Sequence, residues 1–182
     1  MLSHMNIMGL DLSLTSTGYS INGETGAIAV KTKEAERLYE IREDVVNLVK
    51  SHDVDAVVIE GYAFSARNSQ SHKIGELGGV IRLALHEMDI PYIEVPPTCR
   101  AKFATGKGNS AKTEVVSAVS ARTGIIWIGK GADDMCDAWL LEQMGLTALG
   151  RTEYDWPKSS TDALKTVDWS PLNRGNSNEP AE

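Results

Sequence analysis

Four acidic residues of this 182-residue chain lie where a carboxylate is hard to explain by structure alone. Asp11 interrupts an apolar run, Glu60 ends another, and Asp134 and Asp137 are three residues apart at the start of a helical pattern. Burying an unpaired charge is costly or forces the group to take up a proton. A divalent cation is the simplest partner for such a set, because Mg²⁺ and Mn²⁺ prefer carboxylate oxygens. The sequence therefore predicts a metal-dependent enzyme.

Each of these acids also has an ordinary explanation. Asp11 could be a turn or edge residue, Glu60 could be an exposed strand end, and Asp134 and Asp137 could be acids that favour a helix start. Asp133 is adjacent to Asp134, and spacing does not rank one above the other. If the strands of Asp11 and Glu60 pair, and the helix packs its N-terminus over them, the four carboxylates could hold two ions about 4 Å apart for phosphodiester chemistry.

Basic residues concentrate in one stretch of an otherwise acidic chain. The net charge of −7 argues against non-specific binding of polyanions. Residues 97–132 nevertheless carry six basic residues and a single acid, a local charge of +5. Such a stretch can bind nucleic acid if the fold places it on one face. The candidates for tracking phosphates are Arg67, Lys73, Arg100 and Lys102, and those for stacking on unpaired bases are Tyr62 and Phe64, although surface charge and core packing would also explain them.

Hydrophobic periodicity predicts the order β-β-β-α-β-α-β-α-α, an α/β fold. Strands are expected at Met5–Ser13, Gly18–Ile21, Ala27–Val30, Asp55–Glu60 and Pro91–Val95. Helices are expected at Lys33–Ser51, His72–Met88, Ser110–Thr123 and Asp133–Leu149, with Ser110 as an N-cap. Pro96-Pro97 is expected to end the fifth strand.

The composition divides the chain into one domain, residues 1–149, and a tail, residues 150–182. The tail is rich in Thr, Ser, Asn, Pro and Asp and has no periodicity, so it is expected to be flexible and largely unstructured. Trp156 and Trp169 are unusual in such a segment and could attach it to the body or to a partner. No apolar run is long enough to span a bilayer and no signal peptide is evident, so we expect a cytoplasmic location, in a bacterium or in the host of a virus.

Five short motifs follow one another between residues 6 and 148. They are Ile7–Ser13 with Thr17-Gly18-Tyr19, Val58-Ile59-Glu60, His72–Val80, Gly106–Lys112 and Asp133–Ala138. In this order and approximate spacing they resemble the motifs of RuvC-type Holliday junction resolvases. The resemblance implies an RNase H-like fold: a mixed five-stranded sheet with antiparallel β1–β3, flanked by helices on both faces.

The same resemblance implies an activity and assigns residues to it. It implies a homodimer that nicks paired strands of a four-way DNA junction and leaves 5′-phosphate and 3′-hydroxyl ends. Two Mg²⁺ ions per site are implied, for which Mn²⁺ substitutes. The catalytic and metal-binding carboxylates would be Asp11, Glu60, Asp134 and Asp137, which selects Asp134 over Asp133. Lys112 would lie near the scissile phosphate, Lys107 would contact the DNA backbone, and the helix carrying Gly75 and Gly79 would form the dimer interface.

Two other functions compete with this one. Residues Gly9–Gly18 also resemble the phosphate-binding hairpin of actin-like and sugar-kinase-type ATP-using enzymes, although those proteins need two such lobes and no second phosphate loop is found. A non-catalytic junction-binding protein would keep the basic stretch but would not need all four acids. Retention of the four acids therefore favours cleavage.

Overall fold

A single mixed β-sheet forms the centre of the structure, a computed structural model that describes residues 5–62 and 69–176. Its strands are β1 (Ile7–Asp11), β2 (Thr17–Ile21), β3 (Glu24–Ile28), β4 (Ala56–Glu60) and β5 (Tyr92–Val95). Their order is β3-β2-β1-β4-β5, with β1 to β3 antiparallel and β4 and β5 parallel to β1. This confirms the predicted α/β class and the antiparallel β1–β3 meander.

Helices cover both faces of the sheet. They are α1 (Glu34–Ser51), α2 (Ser69–Glu87), α3 (Pro97–Thr105), α4 (Lys112–Thr123), α5 (Ala132–Ala148) and α6 (Lys158–Ala163), followed by short 3₁₀ helices at Leu164–Thr166 and Ser170–Asn176. Within the described ranges, none is long and apolar enough to cross a membrane.

Strand alternation divides the interior into two cores. On β1, Met8 and Leu10 pack with α1 and α2, whereas Ile7 packs with α5 on the opposite face. On β4, Val57 and Ile59 join the first core and Val58 joins the second. Because successive side chains of a strand point to opposite faces, residues 11 and 60 belong to the α5 face.

Helix α5 lies unusually close to the sheet. A Cβ atom on Gly9 would be 1.9 Å from the carbonyl oxygen of Ala138, and one on Gly18 would be 2.2 Å from the carbonyl oxygen of Asp134. These contacts are with backbone atoms, which cannot rotate away as a side-chain end can. Glycine at these two positions therefore allows the first turns of α5 to rest on β1 and β2.

A buried carboxylate fixes α5 to the β2–β3 hairpin. Glu142, 1% exposed, accepts hydrogen bonds from the Ser20 hydroxyl and from the backbone N–H of Gly23, the latter at 3.1 Å. Burial raises the pKa of Glu142 above its ordinary value of 4.5, although these hydrogen bonds act in the opposite direction. The hairpin turn and α5 are thus held in one register.

One local expectation was confirmed and another was wrong. Pro96-Pro97 ends β5 at Val95 as expected, and Pro97 also begins the unpredicted helix α3, a position where proline is well tolerated since its missing N–H has no helical partner. The N-cap of α4 is Ala111 rather than Ser110. The Ser110 hydroxyl instead hydrogen-bonds to the Thr105 hydroxyl at 2.7 Å and so closes the loop between α3 and α4.

The segment after Gly150 is also folded, in contrast to the predicted unstructured tail. Trp156, Leu164, Val167 and Leu172 are buried in the core that contains α5. The Trp156 ring lies 4.2 Å from that of Phe103 on α3, measured between centroids. Residues 151–176 are therefore packed on the core rather than largely unstructured, and residues 177–182 lie outside the described part of the chain.

Replacement of Trp156 by alanine should destabilise the protein by about 3–5 kcal/mol, the usual cost of removing a large buried aromatic side chain. Urea denaturation measures this change. Tyr39→Ala, at an exposed position on α1, is the control and should change the free energy of unfolding by no more than about 0.5 kcal/mol. Equal stabilities of the two variants would show that the C-terminal segment does not pack on the core.

Stability should depend on the titration of Glu142. Because its pKa is raised in the folded state, the unfolded chain binds fewer protons above pH 4.5, and folding loses stability as pH rises from there through the folded pKa. The stability of wild type relative to Glu142→Gln should therefore be greater at about pH 5 than at about pH 7.5 when both are unfolded with urea. Glu36→Gln, which removes an exposed carboxylate on α1, is the control variant. A flat difference for Glu142→Gln would contradict this account.

Candidate active site

Two carboxylates meet where adjacent parallel strands end. Leu10 of β1 is level with Ile59 of β4, so the next residues, Asp11 and Glu60, end neighbouring strands on the same face of the sheet. The side-by-side pairing of these two strands, on which convergence of the two acids depended, is present and is parallel. This alignment explains why acids occur at these two positions, 49 residues apart in sequence.

The first turns of α5 bring the other two carboxylates to this edge. Asp137 is 2% exposed, and Asp134 lies one helical turn before it on the same side of the helix. The close approach of the α5 backbone to Gly9 and Gly18 sets the distance of Asp134 and Asp137 from the sheet. Asp11 interacts electrostatically with each of Glu60, Asp134 and Asp137, so the four acids form one cluster, called the carboxylate cluster below.

Arg100 joins two members of the carboxylate cluster. It extends from α3, is 7% exposed, and donates from Nε to Glu60 and from Nη1 to Asp137. Arg100 was one of the candidates for tracking DNA phosphates, and the structure places it as a buried residue paired with two carboxylates. Its role was missed because α3 itself was not predicted, so nothing indicated that residue 100 faces the cluster.

Lys112 contacts the cluster from its open side. Its Nζ lies 3.0 Å from Oδ2 of Asp133 and 3.5 Å from Oδ1 of Asp134. Lys112 is the first residue of α4 and remains exposed, so its ammonium is available to a molecule approaching from solvent. The side chain of Asp133 is 46% exposed and that of Asp134 is 16% exposed, which places Asp134 nearer the interior of the cluster.

Burial and repulsion between the carboxylates raise the pKa values of two acids in the cluster. Burial, followed by the charges of Glu60 and Asp137, raises the pKa of Asp11 well above its usual range, against the lowering effect of Arg100. Burial likewise raises the pKa of Asp137 to about 6, although Arg100 again opposes the shift. Additional cations would relieve this repulsion and favour the ionised carboxylates.

The donor chemistry of the cluster suits a hard divalent cation, since it consists of carboxylate oxygens on rigid elements. In the conformation described, however, no three His, Cys, Asp or Glu side chains within residues 5–62 and 69–176 are arranged to hold a metal ion. Two of the four acids are instead bonded to Arg100. The donor set fits the expected ion, whereas the arrangement is that of an ion-paired cluster.

The remaining DNA-contact candidates are dispersed. Lys102 on α3, Lys107 in the following loop and Lys73 on α2 are exposed. Lys102 and Lys107 belong to the same side of the sheet as the cluster, whereas α2 covers the opposite face. Arg67 and Phe64 lie outside the described residues.

Tyr62 is fixed in place rather than freely presented. Its hydroxyl accepts a hydrogen bond from Nη1 of Arg82 at 2.9 Å and donates one to the carbonyl oxygen of Gly75 at 3.3 Å. The Arg82 guanidinium also lies over the ring, 4.7 Å from its centroid. A Cβ on Gly78 would be 2.1 Å from the hydroxyl, so glycine makes room for this arrangement. The tyrosine remains 44% exposed, with its orientation set by α2.

Comparisons with known proteins agree with this architecture. The family model described as "Crossover junction endodeoxyribonuclease RuvC" matches residues 7–139. A protein of that name from Prochlorococcus marinus (strain NATL1A) is 31% identical over 153 residues, covering 78% of this chain and 98% of the relative. One from Thermosipho melanesiensis is 30% identical over 151 residues, covering 75% and 96%.

A solved structure supports the fold assignment. The structure of T. thermophilus RuvC in complex with a Holliday junction substrate superposes with a TM-score of 0.64 at 22% identity, covering 81% of this chain and 98% of that one. The predicted RNase H-like fold is thereby confirmed. The match of the family model over residues 7–139, together with the curated relatives, shows that this chain belongs to the RuvC family of crossover junction endodeoxyribonucleases.

Proposed function

We propose that this protein is a structure-selective DNA endonuclease that resolves Holliday junctions and acts on other branched DNA. The observation that carries the proposal is the convergence of Asp11, Glu60, Asp134 and Asp137, from two strands and one helix, beside the exposed ammonium of Lys112. Family membership favours this function over that of an ATP-using enzyme. A junction-binding protein without activity would have no use for four mutually repelling acids.

The four carboxylates are proposed to hold two Mg²⁺ ions, for which Mn²⁺ substitutes. Bound ions would activate water and neutralise charge on the phosphate that is attacked. Rigid placement by β1, β4 and α5 keeps the acids oriented before substrate arrives. Lys112, at the open side of the cluster, is placed to stabilise the negative charge that develops on the scissile phosphate. Hydrolysis would leave 5′-phosphate and 3′-hydroxyl ends.

The active species is proposed to be a homodimer. A symmetric dimer presents two clusters to a junction with near two-fold symmetry, so that paired strands are nicked. Helix α2 offers a surface for this contact. Among residues 5–62 and 69–176, a methyl group at Gly75 or Gly79 would have no atom within 4 Å outside its own stretch of helix, and Leu83 is 58% exposed. Small residues spaced by four allow a second helix to approach closely.

A cleavage assay tests the proposed activity. With Mg²⁺ and a labelled four-way junction, wild type should make paired nicks, and chelation of the metal should stop them. Asp11→Asn should still bind the junction but cleave it about a hundredfold or more slowly, because a charge in the cluster is lost. Asp44→Asn, which changes an exposed acid on α1, is the matched control and should cleave normally.

Other outcomes of the same assay identify the rivals. Metal-independent binding of the junction without nicking by wild type would show a non-catalytic binding protein. Hydrolysis of ATP without DNA cleavage would favour the ATP-using enzyme. A panel of flaps, forks and junctions in the assay ranks the branched substrates.

The exposed loop between α3 and α4 should contribute to DNA binding through the attraction of its Lys107 ammonium to the DNA phosphates. Lys107→Ala should weaken junction binding and reduce the slope of log affinity against log salt by about 1, the change expected for one lost phosphate contact. Fluorescence anisotropy across a salt series measures both quantities. Lys50→Ala, an equally exposed lysine near the end of α1, is the control. An unchanged slope for Lys107→Ala would exclude a backbone contact at this position.

A further inference from the structure

Arg100 occupies the position of a cation inside the carboxylate cluster. One guanidinium contacts Glu60 on β4 through Nε and Asp137 on α5 through Nη1, and it bonds to each through a separate nitrogen. Its side chain is 8% exposed, and those of its partners are 19% and 3% exposed. By contrast, Lys112 contacts the rim of the cluster and is largely exposed. Arg100 is therefore a buried cation within the cluster, whereas Lys112 is an exposed cation at its edge.

The position of Arg100 is imposed by the fold. Its neighbours on α3, Ala101, Phe103 and Ala104, are all buried in the core. Phe103 is further held by contact with the ring of Trp156, which is tilted by 43° relative to its own. The helix cannot rotate to carry residue 100 to the surface without exposing this apolar face, so only the side chain itself can leave the cluster.

A guanidinium and a divalent cation would both bind the carboxylates of Glu60 and Asp137. Arginine cannot lose its proton in a protein, so the guanidinium stays charged whatever the carboxylates do. A hard divalent ion that binds Glu60 or Asp137 would compete with Arg100 for the charge of that carboxylate and would lie close to a like charge. Loss of the hydrogen bonds from Arg100 would make metal binding less favourable.

We propose that Arg100 is a built-in counter-cation that competes with divalent metal for Glu60 and Asp137. It holds the cluster assembled in the absence of metal, and a divalent ion enters this side of the cluster only by displacing the guanidinium. Arg100 thus sets the metal concentration at which the site is loaded. The inference rests on the proposed metal-dependent function and adds to it a residue that opposes metal binding.

Metal affinity without DNA tests the proposal directly. Binding of Mn²⁺ is measured by isothermal titration calorimetry and by electron paramagnetic resonance of the free ion. Arg100→Gln should bind Mn²⁺ about tenfold more tightly than wild type or better, the change expected if displacement costs ~1.4 kcal/mol. Arg100→Lys keeps the charge and should lie between the two. Introduction of Asp11→Asn into Arg100→Gln should remove the gain, which locates the ion in the cluster.

Arg42→Gln is the matched control. Arg42 also joins two carboxylates, at 2.6 Å from Glu43 and 2.7 Å from Glu87, but these acids lie on α1 and α2, away from the cluster. Its removal should leave Mn²⁺ affinity unchanged. Equal affinities of wild type and Arg100→Gln, or weaker binding by the variant, would overturn the proposal. Absence of Mn²⁺ binding by every one of these proteins would overturn the metal-dependent function as well.

A measurement on wild type avoids dependence on the folding of Arg100→Gln. In protein labelled with ¹⁵N-arginine, the Nε–H signal of Arg100 is assigned by its absence from Arg100→Lys. Titration with Mg²⁺ should shift this signal as the bond to Glu60 is lost, whereas the Arg42 signal should remain in place. An unperturbed Arg100 signal at saturating Mg²⁺ would show that metal and guanidinium do not compete.

Discussion

The contact between helix α5 and the sheet is the constraint on which the site depends. Asp11 and Glu60 arrive at one edge of the sheet by strand pairing, but Asp134 and Asp137 reach them only if the helix backbone lies almost on the strands. Gly9 and Gly18 permit this because their missing side chains leave space for carbonyl groups of the helix. Glu142 then fixes the helix to the hairpin. The carboxylate cluster is therefore a consequence of backbone packing rather than of side-chain reach.

Such packing concentrates negative charge in a poorly solvated place. Burial, and after it the repulsion between neighbouring carboxylates, raises the pKa values of Asp11 and Asp137 and so favours their protonation. Arg100 and Lys112 reduce this repulsion from opposite sides, one buried and one exposed. A cluster with internal cations can fold before any metal arrives. The same ion pairs then oppose the binding of a divalent ion, so stability without metal and affinity for metal are in conflict.

Several features could be predicted from sequence because they depend on local patterns. Apolar runs indicated the two strands that carry Asp11 and Glu60, although not that these strands pair, and helical periodicity indicated α1, α2, α4 and α5. Arg100 could not be assigned, because its environment is created by chain segments 40 residues before and 37 residues after it. Proline at residues 96 and 97 suggested a break, although proline is also favoured in a first helical turn, and no local signal distinguishes the two.

The C-terminal segment was misjudged for a related physical reason. Its polar composition is typical of a disordered tail. Its buried residues are isolated apolar side chains at irregular spacing: Trp156, Leu164, Val167 and Leu172. Because the buried residues are spaced irregularly, the sequence of this segment shows no helical or strand periodicity of hydrophobic residues. The segment lies beyond residues 7–139, yet it packs on α3 through Phe103, three residues from Arg100. Because Phe103 on α3 is held by this segment, the Arg100 guanidinium is directed into the carboxylate cluster. A segment beyond the family match thus supports the residue that pairs with two of the four carboxylates.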